Sequence, residues 1–203
     1  MAGPEAEESV RELCRAGAFD RAATSALEAY GAEIRRFISA QVDNEADAQD
    51  IFAVFCEDLW SGLAGFEWRC TLRGWAFTLA RHAAIRYRAT PLQLRARMVT
   101  FTNPQVLAYA RSTTAPYART DVKDRFRAIR GRLAEEDQTI LVLRVDRDLG
   151  WRDIAQVLAG PTTPSPDQLH REEARIRKRF QIIKEKLRRW ASDAGLLPRS
   201  TTA

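Results

Sequence analysis

An all-α fold of two small helical domains joined by a linker is what this sequence predicts, the second a helix-turn-helix domain with a long C-terminal helix. Three observations predict it. Apolar residues recur at three- and four-residue spacing in one stretch after another, and few segments alternate as strands do. The periodicity then fades between Thr90 and Thr120, where prolines at 91, 104 and 116 lie among Thr, Ser and Asn. With 203 residues and 45% apolar content, each half has enough material for a core.

Leu27, Tyr30, Ile34, Phe37 and Ile38 mark a first helix from about 22 to 40, closed by the polar break QVDNEAD. A second spans about 46 to 61, with Ile51, Phe52, Phe55 and Leu59 on one side. The segment SGLAGFEWRC reads as a loop, because glycines and small residues interrupt the pattern. A third helix, about 71 to 88, places Leu72, Trp75, Ala76, Leu79 and Ala83 on an expected buried stripe.

Beyond the linker, helices are expected at about 122–133, 135–145 and 151–158. The last helix has the clearest start. Ser165 supplies a capping hydroxyl, Pro166 the first helical position and Gln168 the third, a capping box. From there to about Trp190, Leu169, Ile176, Phe180, Ile183, Leu187 and Trp190 fall on one stripe. The expected plan is an N-terminal segment (1–21), a first domain (22–89), a linker (90–120), a helix-turn-helix domain (121–190) and a disordered tail (191–203).

Charge is unevenly distributed over a net +5. From Asn44 to Glu67 there are six acids and no Lys or Arg, whereas Trp68 to Arg97 holds seven arginines and no acid. Between Arg171 and Trp190 nine basic residues face three acids. At about 100° per residue, Arg73, Phe77, Arg81 and Arg88 share a sector of the third helix roughly opposite the Leu72/Trp75/Leu79 stripe, an expected exposed face. Guanidinium groups pair with phosphates and aromatic rings stack on unpaired bases, so this face and Trp68 with Arg69 in the preceding loop suit a partly melted nucleic acid. The competing reading is a solvated arginine-rich face, with Trp75 in the core and Trp68 packed under the loop.

In the second half, two short helices followed by a capped basic one have the order of a DNA reader whose third helix enters the major groove. An ordinary three-helix bundle shares that order. Three cysteines without CxxC spacing argue against a disulfide framework or a zinc site, and no cofactor is expected. An enzyme acting on nucleic acid would have only His82 and His170 as histidines, and Asp47, Asp50, Glu57 and Asp58 form no evident metal constellation. No window has the 18 or so apolar residues of a membrane span, so a soluble cytoplasmic protein without membrane insertion is expected.

The chain resembles bacterial RNA polymerase sigma factors of the extracytoplasmic-function type over most of 22–88 and 122–190. DAQDIFAVFCEDLW resembles the family pattern DAEDLVQEVFLRLW, and TLRGWAFTLARHAAIRY resembles SFRTWLYRIARNLALDH. LAEEDQTILVLRVDRDLGWRDIAQVLAG and RIRKRFQIIKEKL are similar to the family's second domain. The resemblance implies a protein without catalysis of its own, whose partners are core RNA polymerase and promoter DNA. Family members are often held inactive by an anti-sigma factor, which is therefore a further expected partner. It implies polymerase binding by Asp47, Asp50, Ala53, Val54, Glu57, Leu59 and Trp60, with Ala53-Val54 standing where the family has Gln-Glu. It implies capture of melted minus-ten bases by Trp68, Arg69, Arg73, Phe77, Arg81, His82 and Arg88, with His82 standing where Asn is usual and Trp75 structural. Duplex reading at the minus-thirty-five element falls to Arg175, Lys178 and Arg179. Because the turn GPTTPSPDQLHREEA is longer than the family's, Gln168, His170 and Arg171 are added as candidates. The alternative is a stand-alone helix-turn-helix repressor or activator that does not bind core polymerase.

Overall fold

The structure, a computed structural model, describes residues 4–42, 44–91, 128–160 and 164–195. Helices and the turns between them account for the described residues, and no strand occurs among them. The chain divides into two compact units, one on the described residues up to Pro91 together with Ala159 and Gly160, the other on Ala128–Leu158 and Pro164–Gly195. Most of the expected linker and the end of the expected tail lie outside the described residues.

In the first unit, helices α1 (Pro4–Arg15), α2 (Phe19–Ser39), α3 (Glu45–Gly62) and α4 (Leu72–Ala89) pack in sequence, with a short 3₁₀ turn at Leu63–Gly65. Helix α1 lies within the expected N-terminal segment, 1–21. It has acids in its first turn, Arg15 in its last, and fully buried Val10. One strong apolar contact per three turns is too sparse to register as periodicity. Gly17, at φ +69°, makes the left-handed turn into α2 that a side chain would resist.

Asn44 caps α3 by accepting from the Asp47 amide at 2.7 Å. Six consecutive residues, Ile51 to Cys56, are buried, so the middle of α3 is enclosed on all sides rather than on one. It packs against both α2 and α4. Burial also raises the pKa of the Cys56 thiol, which leaves that sulfur inert. Thr71 caps α4 through the Gly74 amide at 3.0 Å.

The second unit contains helical residues 128–131, α5 (Glu135–Leu141) running on into a π-helical turn (Val142–Asp146), α6 (Trp151–Ala159) and α7 (Pro166–Asp193). The capping box forms: the Gln168 amide donates to Ser165 Oγ at 3.3 Å, and the Ser165 amide donates to Gln168 Oε1 at 2.8 Å. Leu169, Ile176, Phe180 and Ile183 are buried along α7, while Leu187 and Trp190 are half-buried. Trp151 meets Phe180 edge to face, centroids 5.3 Å apart, which docks α6 on α7.

Candidate nucleic-acid interface

The loop before α4 is organised by aromatic rings. Phe66 stacks on Trp75 of α4 at 4.5 Å and meets Trp68 at 4.8 Å. Arg11 of α1 lies over the Trp68 ring, 4.6 Å from its centre. Trp68 is held at φ +59°, a left-handed conformation that a bulky residue adopts only where its surroundings enforce it. Gly62 lets Trp75 come close: a Cβ there would stand 3.0 Å from the indole. Arg69 is exposed and, among the described residues, pairs with Glu67 two positions back at 2.8 Å, a contact weak in water.

Helix α4 is rotated from the expected orientation. Phe77 is fully buried, edge to face with Phe37 at 5.2 Å, while Trp75 and Leu79 are half-exposed. Phe77 is therefore a core residue and not part of an exposed basic face. The larger amphipathic Trp75 takes the margin, and the smaller ring fills the interior. Arg73 shares that inward tilt: its guanidinium forms a two-pronged ion pair with Glu33 of α2, each side chain 21% exposed, and lies 5.7 Å from the Phe77 ring centre.

Arg86, which sequence reasoning did not select, pairs with Asp58 at 2.5 Å. Burial raises the Asp58 carboxyl pKa, and Arg86 opposes that rise. Arg81 is half-exposed and forms no ion pair among the described residues, and Arg88 is exposed. His82 is half-exposed, its pKa lowered by burial and then by Arg81 and Arg86.

On α3 the expected polymerase contacts separate into two groups. Ala53 and Val54 are 5% exposed and Leu59 1%, so their side chains build the core instead of offering a docking surface. Asp47, Asp50, Glu57 and Trp60 are half-buried at the edge. Asp47 and Asp50 both approach the Tyr87 hydroxyl at 2.9 Å, which ties the start of α3 to the end of α4. Burial and these two hydrogen bonds raise the phenol pKa. Trp60 Nε1 donates to Asp20 of α2 at 2.6 Å.

In the second unit, Arg179 is drawn inward. It is hydrogen-bonded to Asp137, only 5% exposed, and reaches Glu136 at 2.8 Å. Burial works against its charge, but the hydrogen bonds and attraction of these two acids outweigh that and raise its pKa. Arg175 is shared between Glu172 at 2.8 Å and Glu136 at 3.5 Å. Gln168 spends its side-chain oxygen on the cap. His170, Arg171 and Lys178 are exposed. Arg171 Nε donates to the Asp167 carbonyl at 3.3 Å, and it forms no ion pair among the described residues.

The described residues form two all-helical units, one with an aromatic loop beside arginines and one with a capped basic helix. The sigma-70 region 2 family model matches residues 26–90, from within α2 to the end of α4. The chain is also similar to RNA polymerase sigma factor YlaC of Bacillus subtilis (strain 168), 23% identical over 166 residues that cover 78% of this chain and 92% of that protein. The region 2 match and this similarity together support the reading of the chain as a sigma factor of the extracytoplasmic-function type. The match falls on the half in which a stand-alone repressor would need a dimerisation or ligand domain, and so disfavours that alternative.

Among the described residues no helix is long and apolar enough to cross a membrane.

Proposed function

We propose that the two units divide promoter recognition between them. The first docks on core RNA polymerase through the α3 edge formed by Asp47, Asp50, Glu57 and Trp60, and holds melted bases with Trp68, Arg69, Arg81, His82 and Arg88. The second contacts duplex DNA through His170, Arg171, Arg175 and Lys178 at the exposed start of α7. Arg73, Phe77, Gln168 and Arg179 serve these surfaces by shaping them. The chain acts in the cytoplasm, where the polymerase is, and has no catalysis of its own. Control by an anti-sigma factor belongs to the same reading.

The observation that carries the proposal is the Trp68 loop. An indole kept in a costly backbone conformation at the mouth of an arginine-bearing helix suits stacking on a base that has left its duplex. The test is a pull-down of the purified protein with bacterial core polymerase, followed by run-off transcription on genomic fragments. Core binding with specific starts is the expected result; DNA binding without polymerase binding would overturn it.

A further inference from the structure

A cavity of about 340 Å³ opens beside the loop, a volume in the range of small-ligand sites. Its walls are of two kinds. Phe19 at the start of α2, Leu63 of the 3₁₀ turn, and Phe66 and Trp68 of the loop are apolar and largely aromatic, whereas Arg11 and Arg15 of α1 bring two cations. The two arginines share one exposed acid: Glu8 accepts from Arg15 at 3.1 Å and from Arg11 at 3.5 Å. Surface pairs of this kind are weak, and a carboxylate that arrives with apolar bulk to bury offers a guanidinium a stronger, two-pronged partner. Arg11, Arg15 and Phe19 all precede the residues matched to sigma-70 region 2.

We propose that this cavity is a binding site for a small planar aromatic carboxylate. The ring packs among Phe19, Phe66 and Trp68, and Arg11 and Arg15 hold the carboxylate. Offset and edge-to-face contacts with three aromatic side chains favour a ring over an alkyl chain. The cations select against neutral ligands, and the apolar wall selects against inorganic anions, which would leave Phe19 and Trp68 uncovered. Arg11 lies over the Trp68 ring, 4.6 Å from its centre, so a carboxylate that draws the guanidinium away removes one of the contacts around the Trp68 backbone at φ +59°. Occupancy of the cavity is thereby coupled to the loop, which gives a small molecule a route to regulate it. None of this depends on what the loop itself binds.

The test uses the full chain and follows Cys14, which lines the cavity and is half-exposed. The protein is alkylated with iodoacetamide in the presence of 2-naphthoate, and the modified fraction of each cysteine is read by mass spectrometry. Cys70 is also half-exposed but is not part of the cavity wall, so it serves as the internal reference, and Cys56 is buried. Saturable protection of Cys14 with no change at Cys70 is the expected result. The neutral isostere 2-naphthamide should need a concentration about tenfold higher, the worth of one charge-assisted contact, and inorganic phosphate should give no protection. Absence of protection by 2-naphthoate, or equal protection by the amide or by phosphate, would overturn the proposal.

Replacing Arg11 and Arg15 together by alanine should raise the 2-naphthoate concentration for half-protection about tenfold and leave that for 2-naphthamide unchanged. Lysine at both positions keeps the charge but not the planar fork, and should recover only part of the loss. If the alanine pair fails to fold, Ala64→Phe serves instead. Ala64 is exposed and lines the same cavity, so a ring there fills the space without removing either arginine and should abolish protection by added ligand. Protection that survives Ala64→Phe, or that loss of both arginines leaves unchanged, places the ligand elsewhere and removes the site.

Discussion

Arg73 and Glu33 form a two-pronged ion pair that ties α4 to α2 across 40 residues of sequence. Each side chain is about one-fifth exposed, so the pair lies between a surface bridge and a buried one. Arg73→Ala should therefore destabilise the first unit by about 2 kcal/mol and lower its melting temperature by roughly 8–16 °C. Glu33→Gln should do nearly the same, and the double variant should cost less than the sum. If Arg73→Ala lost DNA affinity without losing stability, the ion pair would be idle and the arginine a direct contact.

Asp137 sets a stronger version of the same test. Its carboxylate is nearly enclosed and is held by Arg179, with Lys186 at 3.8 Å. Removing Arg179 strands a buried charge, at a cost of about 3–5 kcal/mol. Urea denaturation of Arg179→Ala should show that loss, and replacing Asp137 by asparagine in the same chain should recover much of it. Weak DNA binding by Arg179→Ala with unchanged stability would place Arg179 in the groove instead.

These two pairs also mark where the sequence stopped being informative. The capping box of α7 and its apolar stripe are local patterns, written within a few residues, and they form as expected. The aromatic loop and the basic helices could likewise be located from composition. Periodicity told which positions on α4 recur but not which of two adjacent arcs faces inward, so Phe77 was placed outside and Trp75 inside. Partners such as Glu33 and Asp137, 40 and 42 residues from their arginines, leave no local trace. The enclosure of Ala53 and Val54 on α3 and the α1 wall around Trp68 are likewise products of packing.

Duplex binding by the second unit should depend on cations that form no ion pair among the described residues. Arg171 and Lys178, seven positions apart, project on nearly one line of the helix, away from the Leu169 stripe. Replacing both by alanine should reduce the log–log salt slope on duplex DNA by about 1.8, or about 0.9 per phosphate contact. The same substitution at Arg175 should have a smaller effect, since Glu172 and Glu136 already share its charge. An unchanged slope in the double variant would remove α7 from the DNA interface.

His82 makes the stability of the protein depend on pH in a direction that can be stated in advance. Burial, reinforced by Arg81 and Arg86, lowers its folded pKa below the ordinary value of 6.5. As pH falls below that value the unfolded chain takes up the proton first, so the stabilisation is intact above about 6.5 and is lost toward the folded pKa. Asp58, whose pKa burial raises, acts in the opposite sense, because there the folded chain takes up the proton first. Thermal unfolding followed from pH 7.5 to about pH 5 should therefore show a falling melting temperature in the wild type, and a flatter profile in His82→Asn, which keeps a polar side chain but has no proton to gain. Because the imidazole sits beside two arginines, a phosphate arriving at Arg81 should raise the folded His82 pKa and make that fall smaller. A wild-type profile that is flat over this range, or one that His82→Asn leaves unchanged, would show that His82 is not held neutral by the fold.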